Sequence, residues 1–368
     1  LLVCEHTWGL DTKKYLTDYR NWNRADFERA LAHDRLEDAY GDAPGYEEAF
    51  RFARAEFEQM RPEGLTWADR SYTLFAASHQ EQRNYLEEAM ALLPPALREE
   101  ARAACGRTPQ GGAAEASGWS VSQDAASGAL ILTASGGLTL RVGLPVYQEV
   151  GLETYDRLVR DFLVNVPEYR QWAIPDNCKP GLEYSDAPYR TRQHAPQWEP
   201  MEAAGPGVWT LAGRYPPEAV AAAGCPERCE LSVRQVPEGL LVIAALRDKA
   251  RNRKPEALFL PLEVPGTRRL FLQKIGAWID AAQSLPGGNG RVHGVQAFRF
   301  EQAQGQLAVE PLDSPLVVLE APALLCFDPP KAYDRVWANL YNNLWGTNFP
   351  MWYGEDIVCR FLIRCSAG

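Results

Sequence analysis

The sequence predicts an α+β chain in which an N-terminal antiparallel helical bundle precedes a large antiparallel β-sandwich. Three observations carry the prediction. Helical periodicity runs through the first hundred residues, a Gly-rich stretch without period follows, and short segments of period two fill the remainder. The expected divisions are an apolar strand end over 1–10, a bundle over 11–106, a link over 107–118 and a sandwich over 119–368.

The bundle elements read in order as TKKYLTDYRNW, RADFERALAHD, GYEEAFRFARAEFEQM and a long run from Thr66 to Leu93. Asp42-Ala43-Pro44-Gly45, Arg61-Pro62-Glu63-Gly64 and Pro94-Pro95 punctuate them as helix stops. In the long run, Tyr72, Phe75, His79, Gln82, Leu86, Ala89 and Leu93 recur at spacings of three and four, the seam of an antiparallel bundle. His79 and Gln82 form a polar layer in that seam or the wall of a site.

Beyond RTPQGGAAEASG, three hairpins are expected. They turn at Ser135-Gly136-Gly137, at Pro237-Glu238-Gly239 and within AFRFEQAQGQLAVEPL. EALFLPLEV, PLVVLEA and IVCRFLIRC add single strands, which together imply two packed sheets. Two excursions interrupt them. LETYDRLVRDFLVN, 152–165, reads as an amphipathic helix, and the Pro-rich segment from Pro175 to Gly207 covers a site, packs on a neighbouring domain or stays disordered.

Composition narrows the function. The chain has 368 residues, 46% of them hydrophobic, and a formal charge of −10 with no basic stripe, so nucleic acid is not an expected partner. No apolar run approaches the roughly 20 residues that cross a bilayer, and no membrane partner is expected. The eight cysteines mostly sit in apolar contexts such as ALLCF, which reads as reduced buried thiols and favours a cytoplasmic location. Cys225 and Cys229 are close enough in sequence to bridge or share a metal, yet no second pair stands at zinc-site spacing.

No GxSxG elbow, P-loop, GxGxxG or HExxH occurs, and His6, His33, His79, His194 and His293 stand far apart. No catalytic residue can be assigned. Two stretches are nevertheless dense in functional side chains. LLVCEHTWGLD ends an apolar strand on Glu5, His6 and Trp8, with Asp11 placed to cap the next helix. LYNNLWGTNFPMWYGED, 340–356, gathers Asn343, Trp345, Asn348, Trp352, Tyr353 and Asp356, a mixture of aromatic faces and hydrogen-bonding groups suited to a sugar. A tight turn region whose aromatics plug the sandwich would use the same residues.

These stretches carry a resemblance. Leu1-Leu2 with His6 before a helix is similar to the segment of family 38 α-mannosidases in which the last barrel strand completes the zinc site. NNLWGTNFPMW resembles a signature near the end of the sandwich of those enzymes. With CEHTWGLD, SHQEQRNYLEEA, CKPGLEY and KPEALFLPLEV added, the chain resembles an uncharacterised family of large proteins related to the family 38 glycoside hydrolases. The expected sandwich is of the galactose-mutarotase-like super-sandwich type.

The resemblance implies the non-catalytic C-terminal part of a retaining, metal-assisted, α-mannosidase-like enzyme, completing the active-site wall of an N-terminal barrel ahead of Leu1. Its implied partners are that barrel and carbohydrate. In the resembled enzymes two barrel Asp residues do the chemistry and zinc grips the sugar hydroxyls. Of the metal ligands only His6 maps here, and His6-Thr7 stands where a His-Asp pair is usual. Zinc or another divalent cation is therefore expected with the full-length protein and none bound tightly to this fragment. Trp8, Asn343, Trp345, Asn348, Trp352, Tyr353 and Asp356 are the expected substrate contacts. The alternative is a glycan-binding or structural module of a catalytically inactive relative.

Overall fold

The computed structural model describes residues 16–61, 63–106, 118–163, 174, 177–186, 190–283, 290–345 and 351–367. Helices come first and strands after, as the two periodicities predict. In the helical part, α1 (Arg24–His33) buries Phe27 and Ala30, α2 (Asp38–Gly41) is a single turn, and α3 (Glu47–Met60) buries Ala53 and Phe57. After a short 3-10 turn at Trp67–Asp69, α4 (Tyr72–Ala91) begins where Ser71 accepts the Leu74 amide, and α5 (Pro95–Gly106) follows. Phe27, Phe57, Trp67, Tyr72 and Phe75 make the core of this part, and Met351 and Trp352 from the far end of the chain close it.

The expected seam along α4 holds only at its start. Tyr72 and Phe75 are buried, whereas Leu86 is 55% exposed. Length is the reason: α4 has 20 residues, so it rises about 30 Å, while α1 has 10 and α3 has 14. Its C-terminal half has chiefly α5 beside it. The side chains of His79 and Gln82 and the link at 107–117 lie outside the described residues.

The strands form two antiparallel sheets, of nine and ten strands among the described residues. The first runs through Leu130–Ala134, Thr139–Val142, Glu256–Glu263, Arg335–Asn342 and Leu316–Leu319, with Val146–Glu149 also paired to Glu256–Glu263. The second is centred on Gly305–Pro311, Ile357–Ala367, Gly239–Arg247 and Arg228–Val236. All three expected hairpins form. At Gly239, φ is 146° and any side chain would strike the Ile363 carbonyl of the neighbouring strand, so the tight turn there requires glycine.

Period-two alternation sends Leu258, Leu260, Leu262, Phe298, Phe300, Phe361 and Ile363 between the sheets. The Glu256–Glu263 strand is buried on both faces. Ala257 and Phe259 point outward under a second cluster that includes Tyr155 and Leu158 of α6 (Leu152–Leu158) together with Leu324 and Leu325. The helix expected over 152–165 continues past Leu158 only as a π turn, Val159–Leu163. A further helix, α7 (Pro217–Ala223), and the strand Arg335–Asn342 complete elements that periodicity did not single out.

The described portion of the Pro-rich excursion packs on the helical part. Tyr46 donates to Glu183 at 2.6 Å, Tyr184 donates to the Pro44 carbonyl, and the Asp186 amide donates to Asn23 at 2.9 Å. It then returns as the short strands Arg192–His194, Gln197–Trp198 and Glu202–Gly205. Its role is to join the helices to the sandwich.

Candidate functional site

The strand Arg335–Asn342 ends on Asn343, whose side chain is buried and fully engaged. Its Oδ1 accepts the Glu256 amide at 2.7 Å, and its Nδ2 donates to the carbonyls of Lys254, Met351 and Asn252 at 3.0, 3.1 and 3.3 Å. A single carboxamide thus pins the segment that starts at Met351 to the start of the inner strand Glu256–Glu263. Next to it, Trp352 is 6% exposed and meets Phe27 edge-on at 5.2 Å and Tyr72 at 5.9 Å. Tyr353 lies over Tyr341 with ring centroids 5.5 Å apart, and its carbonyl accepts Lys249 Nζ at 3.2 Å.

Lys249 also pairs with Glu256 at 2.5 Å, both side chains fully enclosed. Tyr147 donates to the other carboxylate oxygen at 2.6 Å, and Asn252 donates to it at 3.3 Å. Burial pushes the Glu256 carboxyl upward, against the pull of Lys249 and these donors. The neutral partners and the ammonium make the enclosed charge tolerable.

Between α1, α4 and the 351–355 segment lies a cavity of about 290 Å³. Trp352 and Tyr353 supply its aromatic surface, and Thr73, Gln80, Arg251 and Glu355 supply polar groups. Gly354 leaves room for Arg251, whose stem a side chain at 354 would hit. An apolar wall with a few convergent donors and acceptors is the general form of a small-ligand site.

A smaller cavity of about 20 Å³, room for one water, lies beside Asp18, Trp22, Cys178, Lys179 and Arg253. Asp18 pairs with Arg253 at 2.7 Å and accepts the amides of Arg20 and Asn21 at 3.0 and 2.9 Å and the Tyr72 hydroxyl. Burial would raise its carboxyl, but the Arg253 guanidinium and these donors outweigh that and hold it below the usual range. Arg253 also stacks 4.0 Å from the Trp22 ring centre. Among the described residues Lys179 Nζ meets only the Trp345 carbonyl, 3.4 Å away, and burial with the nearby Arg253 charge pushes its ammonium down to about 7.

Of the residues expected to contact substrate, Trp352 and Tyr353 come together in the larger cavity. Asn343 is consumed by backbone contacts, and Trp345, partly buried, packs against the outer-face cluster with Leu344 and Phe259, outside that cavity. Asp356 is held by Arg247 at 2.8 Å and by the Asp248 amide at 3.1 Å, at the surface outside the cavity. His6, Trp8 and Asn348 lie outside the described residues.

Among the described residues no group of three or more His, Cys, Asp or Glu side chains is arranged to hold a metal. Cys225 and Cys229 are unbridged buried thiols, both pushed up by burial. His194 pairs with Glu149 at 2.7 Å, and His293 is buried against the Gly290 carbonyl and Lys274. No described helix is long and apolar enough to cross a membrane. Sequence reading missed the run Lys249 to Lys254, four cations in six residues that look like a solvated face. Lys249, Arg253 and Lys254 are in fact buried, and each meets a carboxylate.

A family model described as a domain of unknown function, DUF5054, matches residues 1–237. The chain belongs to this family. No curated protein matches it. Among solved structures, this DUF5054 member is similar to a galactose mutarotase-like protein from Lactobacillus casei ATCC 334, with 8% identity, a TM-score of 0.37, and coverage of 68% of this chain and 98% of that one. It is also similar to a putative aldose 1-epimerase from Escherichia coli K12, with 10% identity, a TM-score of 0.32, and coverage of 68% and 100%. The 340–356 segment lies beyond the stretch that the DUF5054 model matches.

Proposed function

We propose that this chain binds carbohydrate without itself catalysing its cleavage, as the C-terminal part of a family 38-like glycoside hydrolase. The observation that carries the reading is the 290 Å³ cavity in which Trp352 and Tyr353 meet Arg251, Gln80 and Glu355. Aromatic surface shields the C–H face of a sugar ring while the amide, guanidinium and carboxylate take its hydroxyls. The family 38 assignment rests on the sequence resemblance. The zinc it implies would be bound through His6 and residues outside those described.

A second reading is a glycan-binding module of an inactive relative. It draws on the same cavity, whose described lining holds one carboxylate, Glu355, and differs in whether the barrel ahead of it supplies the two carboxyl groups about 5 Å apart that retaining hydrolysis uses. Turnover separates the readings. Aryl α- and β-glycosides are offered to the full natural chain, with and without chelator, beside its His6→Ala variant. Chelator-sensitive α-mannoside hydrolysis that collapses in His6→Ala supports the hydrolase. Sugar binding by calorimetry with no turnover leaves the binding module, and loss of both overturns the proposal.

A further inference from the structure

A separate cavity of about 200 Å³ lies on the outer face of the nine-stranded sheet, between α6 and the loop that carries Leu324 and Leu325. It shares no residue with the larger cavity. Gln148, on the strand Val146–Glu149, lines it and is only 4% exposed, yet its amide makes no hydrogen bond among the described residues. Its cross-strand neighbour is Ala257, too small to fill the space beside it. A carboxamide that lines a cavity and bonds no described group is open to a hydrogen-bonding ligand there.

The other polar groups narrow what that is. Thr154 and Thr191 place their hydroxyls 3.5 Å apart, and Glu153 is fixed by accepting the Thr191 amide at 2.6 Å. The second oxygen of Glu153 is sealed from solvent, so it offers no open anionic contact. Arg157, the one cation among the described lining residues, is already held by both oxygens of Asp328 at 2.8 and 3.0 Å and by Asp161 at 3.2 Å. Neither charge is available to an ionic ligand, whereas the amide and the hydroxyls can both donate and accept. Val150, Leu324 and Leu344 give the cavity an apolar side.

We propose that this cavity is a binding site for a compact uncharged polyol, one ring in size. Its hydroxyls bond the Gln148 amide and the Thr154 and Thr191 pair while its C–H face lies on Val150, Leu324 and Leu344. The volume sets the limit of one ring, because pockets for larger ligands start near roughly 300 Å³.

The test is calorimetry and saturation-transfer NMR on the intact chain with myo-inositol, D-glucose and methyl α-D-mannopyranoside. At least one is expected to bind at this cavity, measured in a Tyr353→Ala background so that the larger cavity contributes little, and to be weakened tenfold or more by Gln148→Leu and by Ala323→Phe, which plugs the cavity. Should Gln148→Leu fail to fold, Ala323→Phe and Thr154→Val decide. In the Tyr353→Ala background, absence of binding by all three probes overturns the proposal, as does binding that survives Ala323→Phe undiminished. Glucosamine or glucuronate binding tenfold tighter than glucose overturns the uncharged class.

Discussion

Asp18 and Arg253 meet at 2.7 Å with both side chains buried, 235 residues apart in the chain. The pair ties the segment ahead of α1 to the turn before the strand Glu256–Glu263. Removing the carboxylate leaves Arg253 enclosed without its counter-charge, which costs about 3–5 kcal/mol. Asp18→Ala is expected to lower unfolding free energy by that amount in denaturant titration. The dependence on pH has a definite sign. The Asp18 carboxyl is held below its ordinary value of 3.8, so its contribution is present above about pH 4 and is lost as pH falls through the folded value. The gap between wild type and Asp18→Ala should therefore close in acid.

Lys179 makes the opposite prediction. Its ammonium is pushed from 10.5 down to about 7 by burial and by Arg253, so folding disfavours the charged form. That penalty is complete below pH 7 and is relieved as pH rises from about 7 towards 10.5, where the unfolded chain still holds the proton. Lys179→Met removes the charge at similar length and should stabilise the protein by roughly 2–4 kcal/mol at pH 6. The advantage over wild type should shrink steadily across the alkaline window. A variant that is less stable than wild type at pH 6 would contradict this account.

Asn343 offers a third test, because four backbone groups from two segments, 252–256 and Met351, depend on its carboxamide. Asn343→Leu fits the space but leaves the Glu256 amide and several carbonyls without their partner, each worth about 1–3 kcal/mol. A loss of several kcal/mol in unfolding free energy is expected. Amide exchange should rise first over Met351 to Tyr353, the segment the residue pins. Uniform loss of protection across the sandwich would show instead that Asn343 acts on the whole fold.

The sandwich was legible in the sequence because its hairpins advertise themselves. Ser135-Gly136-Gly137 sits between alternating runs and Pro237-Glu238-Gly239 between two β-branched and apolar runs, each a turn signal between strand-length segments. The Arg335–Asn342 strand did not show, since Val336 to Leu340 are all buried and a strand covered on both faces loses its alternation. The α4 seam misled for a related reason. Periodicity reports which face could be buried, and the length of the neighbouring helices decides how much of it is. In the 340–356 segment, composition found the right residues but could not separate Asn343, spent on backbone, from Tyr353, which lines a cavity.

Trp352 and Tyr353 divide the same way, and the division can be measured. Trp352 is packed between Phe27 and Tyr72 in the helical core, so Trp352→Ala removes an aromatic anchor and should cost about 3–5 kcal/mol. Tyr353 is only partly buried, its ring against Tyr341 and the cavity, and its contact to Lys249 runs through the backbone carbonyl, which any residue supplies. Tyr353→Ala should therefore keep most of the stability while weakening sugar binding at the 290 Å³ cavity tenfold or more. Calorimetric titration with methyl α-D-mannopyranoside, read beside thermal unfolding of both variants, checks the pair. If Tyr353→Ala binds as wild type does, the aromatic wall is not the sugar's platform, and the cavity loses its claim to be the site.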